Sequence, residues 1–296
     1  MSTRPDCGSN CLAFLGVFSI RTRDDRNACI RSAIAGHLEC LRYAHEHGCP
    51  WDRLTCNWAS YYDQLDCLRY AHEEGCPWDE SCCNWAAGND SLQCLRYAHE
   101  NGCPWNGRCC SRASETGHLE CLRYTHEHGC PWDEVTCSRA SEMGQLECLR
   151  YAHEHGCPWD ARTCSEASKT GQLECLRYAH EHGCPWDERT CSRASKTGQL
   201  ECLRYAHENW CPSPDYTKFN VHAIAVPYLY HRGFRLKESV QRVHRREHIR
   251  RALILLRCAV TLLGAYQRAC DRVYSPDGVG YREAETSFRE AVLRKN

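Results

Sequence analysis

Along much of this chain Leu, Cys, Tyr and Ala return at helical spacing, and every run but the last is cut off by a Gly followed by Cys-Pro-Trp. In QLECLRYAHEHG, Gln145 to Gly156, Leu146, Leu149 and Ala152 fall at three-residue steps, with Cys148 beside them and Tyr151 extending the apolar sector. The spacing predicts a helix with one broad buried face, since a strand would alternate every second residue. Gly156 ends that helix and Pro158 prevents it from resuming. Upstream, DEVTCSRASEM (Asp133 to Met143) predicts a shorter helix. Asp133 caps its free amides, Glu134 meets the dipole in the first turn, and Cys137 and Ala140 form a small apolar stripe. Gly144 supplies the permissive backbone for the exit.

This pair of patterns repeats. Cys40, Cys67, Cys94, Cys121, Cys148, Cys175 and Cys202 stand a constant 27 residues apart, and no insertion interrupts the seven units. A constant period requires each unit to make the same contacts to its neighbours, so the expectation is an all-α solenoid of helix pairs over residues 25–211. Helices this short gain their stability from stacking. Trp51, Trp78, Trp105, Trp132, Trp159 and Trp186 recur at the turn, where a large ring can close the space between units.

Charge separates the two ends of the chain. Residues 1–211 hold 21 Lys/Arg against 30 Asp/Glu, a balance of −9; residues 212–296 hold 16 against 8, a balance of +8. The repeated part therefore does not look like a nucleic-acid binder, and attraction to an anionic partner belongs mainly to the tail.

At Ala33-Ile34-Ala35-Gly36-His37-Leu38-Glu39-Cys40-Leu41, closing at Gly48, and again from Thr136 through Ala140, Gly144, Leu146 and Glu147, the units resemble ankyrin repeats of a shortened kind. The six residues missing from the usual period of the family fall between Asp52 and Thr55, where its projecting hairpin would stand, and Thr-Cys replaces the family's Thr-Pro. Units of this length with a GCPWD signature are similar to ankyrin-like proteins of giant DNA viruses and some protists. The resemblance implies a scaffold with no enzyme activity that binds another protein, in a host cell if viral. Such relatives often carry an N-terminal F-box; residues 1–24 are too short for a complete one.

The chain has 27 cysteines but no convincing signal peptide, so a reducing intracellular setting with free thiols is expected. Cys137 and Cys148 replace aliphatic residues and read as small buried hydrophobes. Cys157, beside the turn, reads as the recurrent thiol that reagents reach. The spacings lack the close pairs typical of zinc sites, and neither a metal nor a cofactor is expected. Cys148 and His153 stand five apart, yet a nucleophilic pair needs one unusual environment and not seven equivalent ones. A metal- or thiol-redox-responsive protein is the main rival reading.

Positions that differ between units are free to read a partner. One such position in the first helix gives Arg31, Trp58, Trp85, Arg112, Arg139, Glu166 and Arg193, a ladder on the expected concave side. Trp and Arg are the types that concentrate interface energy. Tyr61, Tyr62 and Asp63 replace the usual turn and single out the second unit. At the ends, CLAFLGVFSI (Cys11 to Ile20) is expected to cover the first unit. Beyond about Phe234, Ile249, Leu253, Leu256, Val260 and Leu263 form a helical stripe behind Arg242, Arg245, Arg246, Arg250 and Arg251. That stripe predicts a helical C-terminal cap docked on the array, with membrane or nucleic-acid contact as the lesser readings. A further short helix is expected at Tyr281 to Arg294.

Overall fold

The structure is a computed structural model that describes residues 27–273. The N-terminal covering segment and the helix expected at 281–294 lie outside the described residues. The chain divides into two compact units, 1–214 and 215–296.

Among the described residues of the first unit seven helix pairs follow one another: α1 Ala28–Ala35 and α2 Leu38–Glu46, α3 Arg53–Tyr61 and α4 Leu65–Glu73, α5 Glu80–Gly88 and α6 Leu92–Glu100, α7 Arg108–Thr116 and α8 Leu119–Glu127, α9 Glu134–Met143 and α10 Leu146–Glu154, α11 Ala161–Thr170 and α12 Leu173–Glu181, α13 Glu188–Thr197 and α14 Leu200–Glu208. Among the described residues there is no strand, so this is an all-α repeat solenoid. The odd-numbered first helices pack closely on one another, whereas the even-numbered second helices are splayed. That asymmetry puts the first helices on the inner, concave side.

Local chemistry sets the ends of each helix. Asp133 Oδ1 accepts the Val135 amide at 3.0 Å, and Asp52, Asp79, Asp160 and Asp187 cap their helices the same way; each cap contributes about 1 kcal/mol. Gly144, at φ 76°, makes the left-handed exit that a side chain would resist. The core is one continuous line of Leu41, Leu68, Leu95, Leu122, Leu149, Leu176 and Leu203, flanked by Cys and Ala, all buried. At the end of the array Trp210 occupies the turn's Gly position at φ 64° with its ring 90% exposed.

The second unit holds α15 Ala225–His231 and the 36-residue α16 Glu238–Val273. Tyr216 is buried edge-on against Phe219 and Phe234, at 5.8 and 5.2 Å, and Val226, Leu229 and Leu236 are buried in the same unit. Within this unit the side chains of Ile249, Leu253, Leu256, Val260 and Leu263 are left uncovered.

Candidate protein-binding face

A seam of four residue types joins each pair of units along the outer helices. His153, at the end of α10, stacks on Trp159 at 3.9 Å, and its Nδ1 lies 3.0 Å from the hydroxyl of Tyr178 on α12. Trp159 meets the same tyrosine edge-on at 6.4 Å, and Arg150 lies over the tyrosine ring at 5.3 Å. The set recurs from His45, Trp51 and Tyr70 through His180, Trp186 and Tyr205. Burial, and then the neighbouring His182 ring, lowers the His153 pKa, while burial raises that of Tyr178. Both shifts favour the uncharged forms, and the imidazole tautomer sets which of the two groups donates. Each such bond contributes about 1 kcal/mol, and each cation–π contact about 0.5–1 kcal/mol. The tryptophans act as the expected wedges, but histidine and arginine share that work.

The thiols lie inward. Cys137 and Cys148 are buried as expected, and burial followed by Glu147 pushes Cys148 up to about 11. Cys157 corrects the sequence reading: it is 4% exposed, and its Sγ donates at 3.3 Å to the carbonyl of Asp133, which caps the first helix of the same pair. Cys76, Cys103, Cys130, Cys184 and Cys211 repeat that contact. A turn residue before proline reads as accessible, but this side chain points into the stack. Cys40 departs from the expected free thiols, being held in a disulfide. Among the described residues no group of three or more His, Cys, Asp or Glu side chains is placed to hold a metal ion.

On the concave face the ladder divides into two kinds of surface. Trp58, Tyr61, Tyr62 and Trp85 come together: Trp58 and Trp85 meet edge-on at 4.9 Å, Trp58 lies 5.5 Å from Tyr61 and 5.9 Å from Tyr62, and Tyr61 lies 5.9 Å from Trp85. The tryptophans are half-buried, and Tyr61 and Tyr62 are 38% and 45% exposed. Gly88, opposite Tyr61 in the repeat register, leaves a gap that the Arg112 stem fills, 3.5 Å from where a Cβ would stand.

From Arg139 onward the same face is a lattice of charges. Arg139 pairs with Glu142 at 3.1 Å, Lys169 joins Glu142 at 2.8 Å and Glu166 at 3.1 Å, and Arg193 closes on Glu166. Lys169 first and Arg139 second hold the Glu142 carboxyl below its usual value. Glu142 and Lys169 were not singled out in the sequence. The signal was there, because both stand three residues after a ladder position with the opposite charge, and signs alternate between units. Arg112, 4.0 Å from Glu115, makes a looser pair, and Arg31 is half-buried at the start of the row.

The turns follow the same division. Gly36, Gly117, Gly144 and Gly171 have left-handed φ, and a Cβ on any of them would strike the side chain of Gln64, Gln145, Gln172 or Gln199 in the next unit. In units two and three that turn carries Asp63 and Asp90, at φ 55° and 60°, and the next unit offers Ser91 or His118 in place of glutamine. His118 Nδ1 lies 3.6 Å from Asp90 Oδ1. A shorter neighbour, or an imidazole ring beside it, admits the carboxylate, and Asp tolerates this backbone better than most residues.

Two comparisons by sequence return nothing: no protein-family model matches the chain, and no curated protein does. Comparison by shape does find relatives. The array is similar to the crystal structure of the human ASB11 ankyrin repeat domain, with a TM-score of 0.51 and 16% sequence identity over 60% of this chain and 96% of that one. The array has an ankyrin-like fold. In such a fold the first helices and their turns form the inner surface, and here that surface carries every ladder residue.

Proposed function

We propose that this protein is a protein-interaction scaffold that holds another protein on its concave face, with no chemical step. One observation carries the reading: Trp58, Tyr61, Tyr62 and Trp85 form a contiguous patch of partly exposed rings, while the charged positions farther along pair with one another. Large aromatic side chains left half-covered on a rigid surface are the residues that bind partners most strongly, because little ordering entropy is lost when they are buried. The rest of the ladder, from Arg112 to Arg193, would frame the contact and set its orientation. The likeness of the 27-residue units to proteins of giant DNA viruses and some protists supports a host protein as the partner and an intracellular site of action. The metal- or redox-responsive alternative needs thiols that converge or reach solvent, and the recurrent thiols of the array are buried.

The test is proximity capture with the full chain against a variant carrying Trp58→Ala and Trp85→Ala, both folded by circular dichroism. Loss of specific partners from the variant is expected. Recovery of the same partners in the same amounts would refute the aromatic face.

A further inference from the structure

The basic tail carries a surface that the scaffold reading does not use. Helix α16 exposes Ile249, Leu253, Leu255, Leu256, Val260 and Leu263, with Leu255 70% and Leu263 67% exposed. Successive helical residues turn by about 100°, which puts Arg246, Arg250 and Arg257 in one row along the edge of that stripe. These three arginines line a shallow cavity of about 520 Å³ with Ile249, Leu253 and Ile254, so guanidinium groups and branched apolar side chains face the same space. Arg242 and Arg251 are ion-paired to Glu238 and Glu247 within the helix. Among the described residues, Arg246, Arg250 and Arg257 have no such carboxylate.

We propose that α16 is a membrane-surface helix: its stripe enters the headgroup boundary of an anionic phospholipid bilayer while Arg246, Arg250 and Arg257 bind the lipid phosphates. A stripe of large apolar side chains bordered by arginines is the arrangement that lies in a lipid interface, because long stems let the charges reach the phosphates as the apolar atoms leave water. The +8 balance of residues 212–296 adds long-range attraction to an anionic surface. Among the described residues no helix is long and apolar enough to cross a membrane, which fits a helix that lies on the bilayer.

Two other occupants fit less well. A nucleic acid would satisfy the arginines and leave the stripe in water. A second copy of α16 would bury a heptad seam, but Arg250 and Arg257 at its edge would face Ala252 and Ala259 and not carboxylates.

The experiment is co-sedimentation of the full chain with phosphatidylcholine vesicles, with and without phosphatidylserine, across a salt series. Binding only to the phosphatidylserine vesicles, weakened by salt, is expected. Replacing Arg246, Arg250 and Arg257 together by Gln should weaken it ~100-fold. Exposed Leu256→Ser with Val260→Ser should also weaken it, while leaving helix content by circular dichroism unchanged. Excess inorganic phosphate, at matched ionic strength, should not release the protein. Equal binding to both vesicle types, release by phosphate alone, or no vesicle binding by a chain that binds duplex DNA or dimerises through α16 would each overturn the proposal.

Discussion

Units two and three share their backbone with units five to seven and differ on one face. In the later units Arg139, Glu142, Glu166, Lys169 and Arg193 satisfy one another, so the surface is closed on itself. In the earlier pair the same positions hold Trp58, Tyr61 and Trp85, whose rings touch but cannot cover themselves. The turns change with them, from Gly packed under Gln to Asp beside Ser or His. The array thus keeps its stacking contacts constant and varies a small connected set of side chains.

The largest effect expected from breaking this contrast is at the rings. Trp58→Ala with Trp85→Ala should cost the partner complex about 2–4 kcal/mol, read as a Kd shift once a partner is in hand. The same variant should move the Tm by little, because the rings are only partly covered. Next comes the turn. Gly144→Asp, which places the unit-three residue into a unit-five setting, should destabilise the array by about 1–3 kcal/mol in urea unfolding through the clash with Gln172 and the left-handed backbone. Adding Gln172→His, which copies the Asp90–His118 pair, should recover part of that loss; no recovery would show that the paired change is incidental.

Acid should loosen the seam that both regions share. The imidazoles of His99, His126 and His153 have lowered pKa values from burial and from His128, His155 and His182. The unfolded chain, with ordinary histidines near 6.5, binds more protons there, so their contribution is complete above about pH 6.5 and is lost as pH falls through the folded values. The groups facing His126 are Trp132, Tyr151 and the His155 ring, with Glu127 beside it. His126→Gln should flatten this pH dependence of the unfolding midpoint by one seam. The smallest effect belongs to the lattice: Glu142→Gln should change stability by less than about 1 kcal/mol, and by less still in high salt.

Much of the scaffold was readable in the sequence because its determinants lie within one unit. The caps at Asp133 and its equivalents, the exit at Gly144 and the buried faces through Leu149 and Cys148 follow from neighbours three or four residues apart. What escaped depends on how far one unit is offset against the next. The His153–Tyr178 bond spans 25 residues and the Lys169–Glu142 pair spans 27, and no periodicity within a helix gives the stacking offset that brings them together. Cys157 was misread because the carbonyl that draws its thiol inward lies 24 residues back, at the cap of the first helix of its own pair. The ladder itself was legible as variation, and the separation of its rings from its paired charges needed the second row at Glu142 and Lys169.

Hydroxyl-radical footprinting of the full chain, alone and with its captured partner, tests the central claim most directly. Met143, 51% exposed at the unit-five counterpart of Tyr62, provides an oxidisable control on the charged part of the same face. Slower oxidation of Trp58, Tyr61, Tyr62 and Trp85 in the complex, with Met143 unchanged, is the predicted result. Protection of Met143 with the four rings oxidised as fast as before would contradict the account.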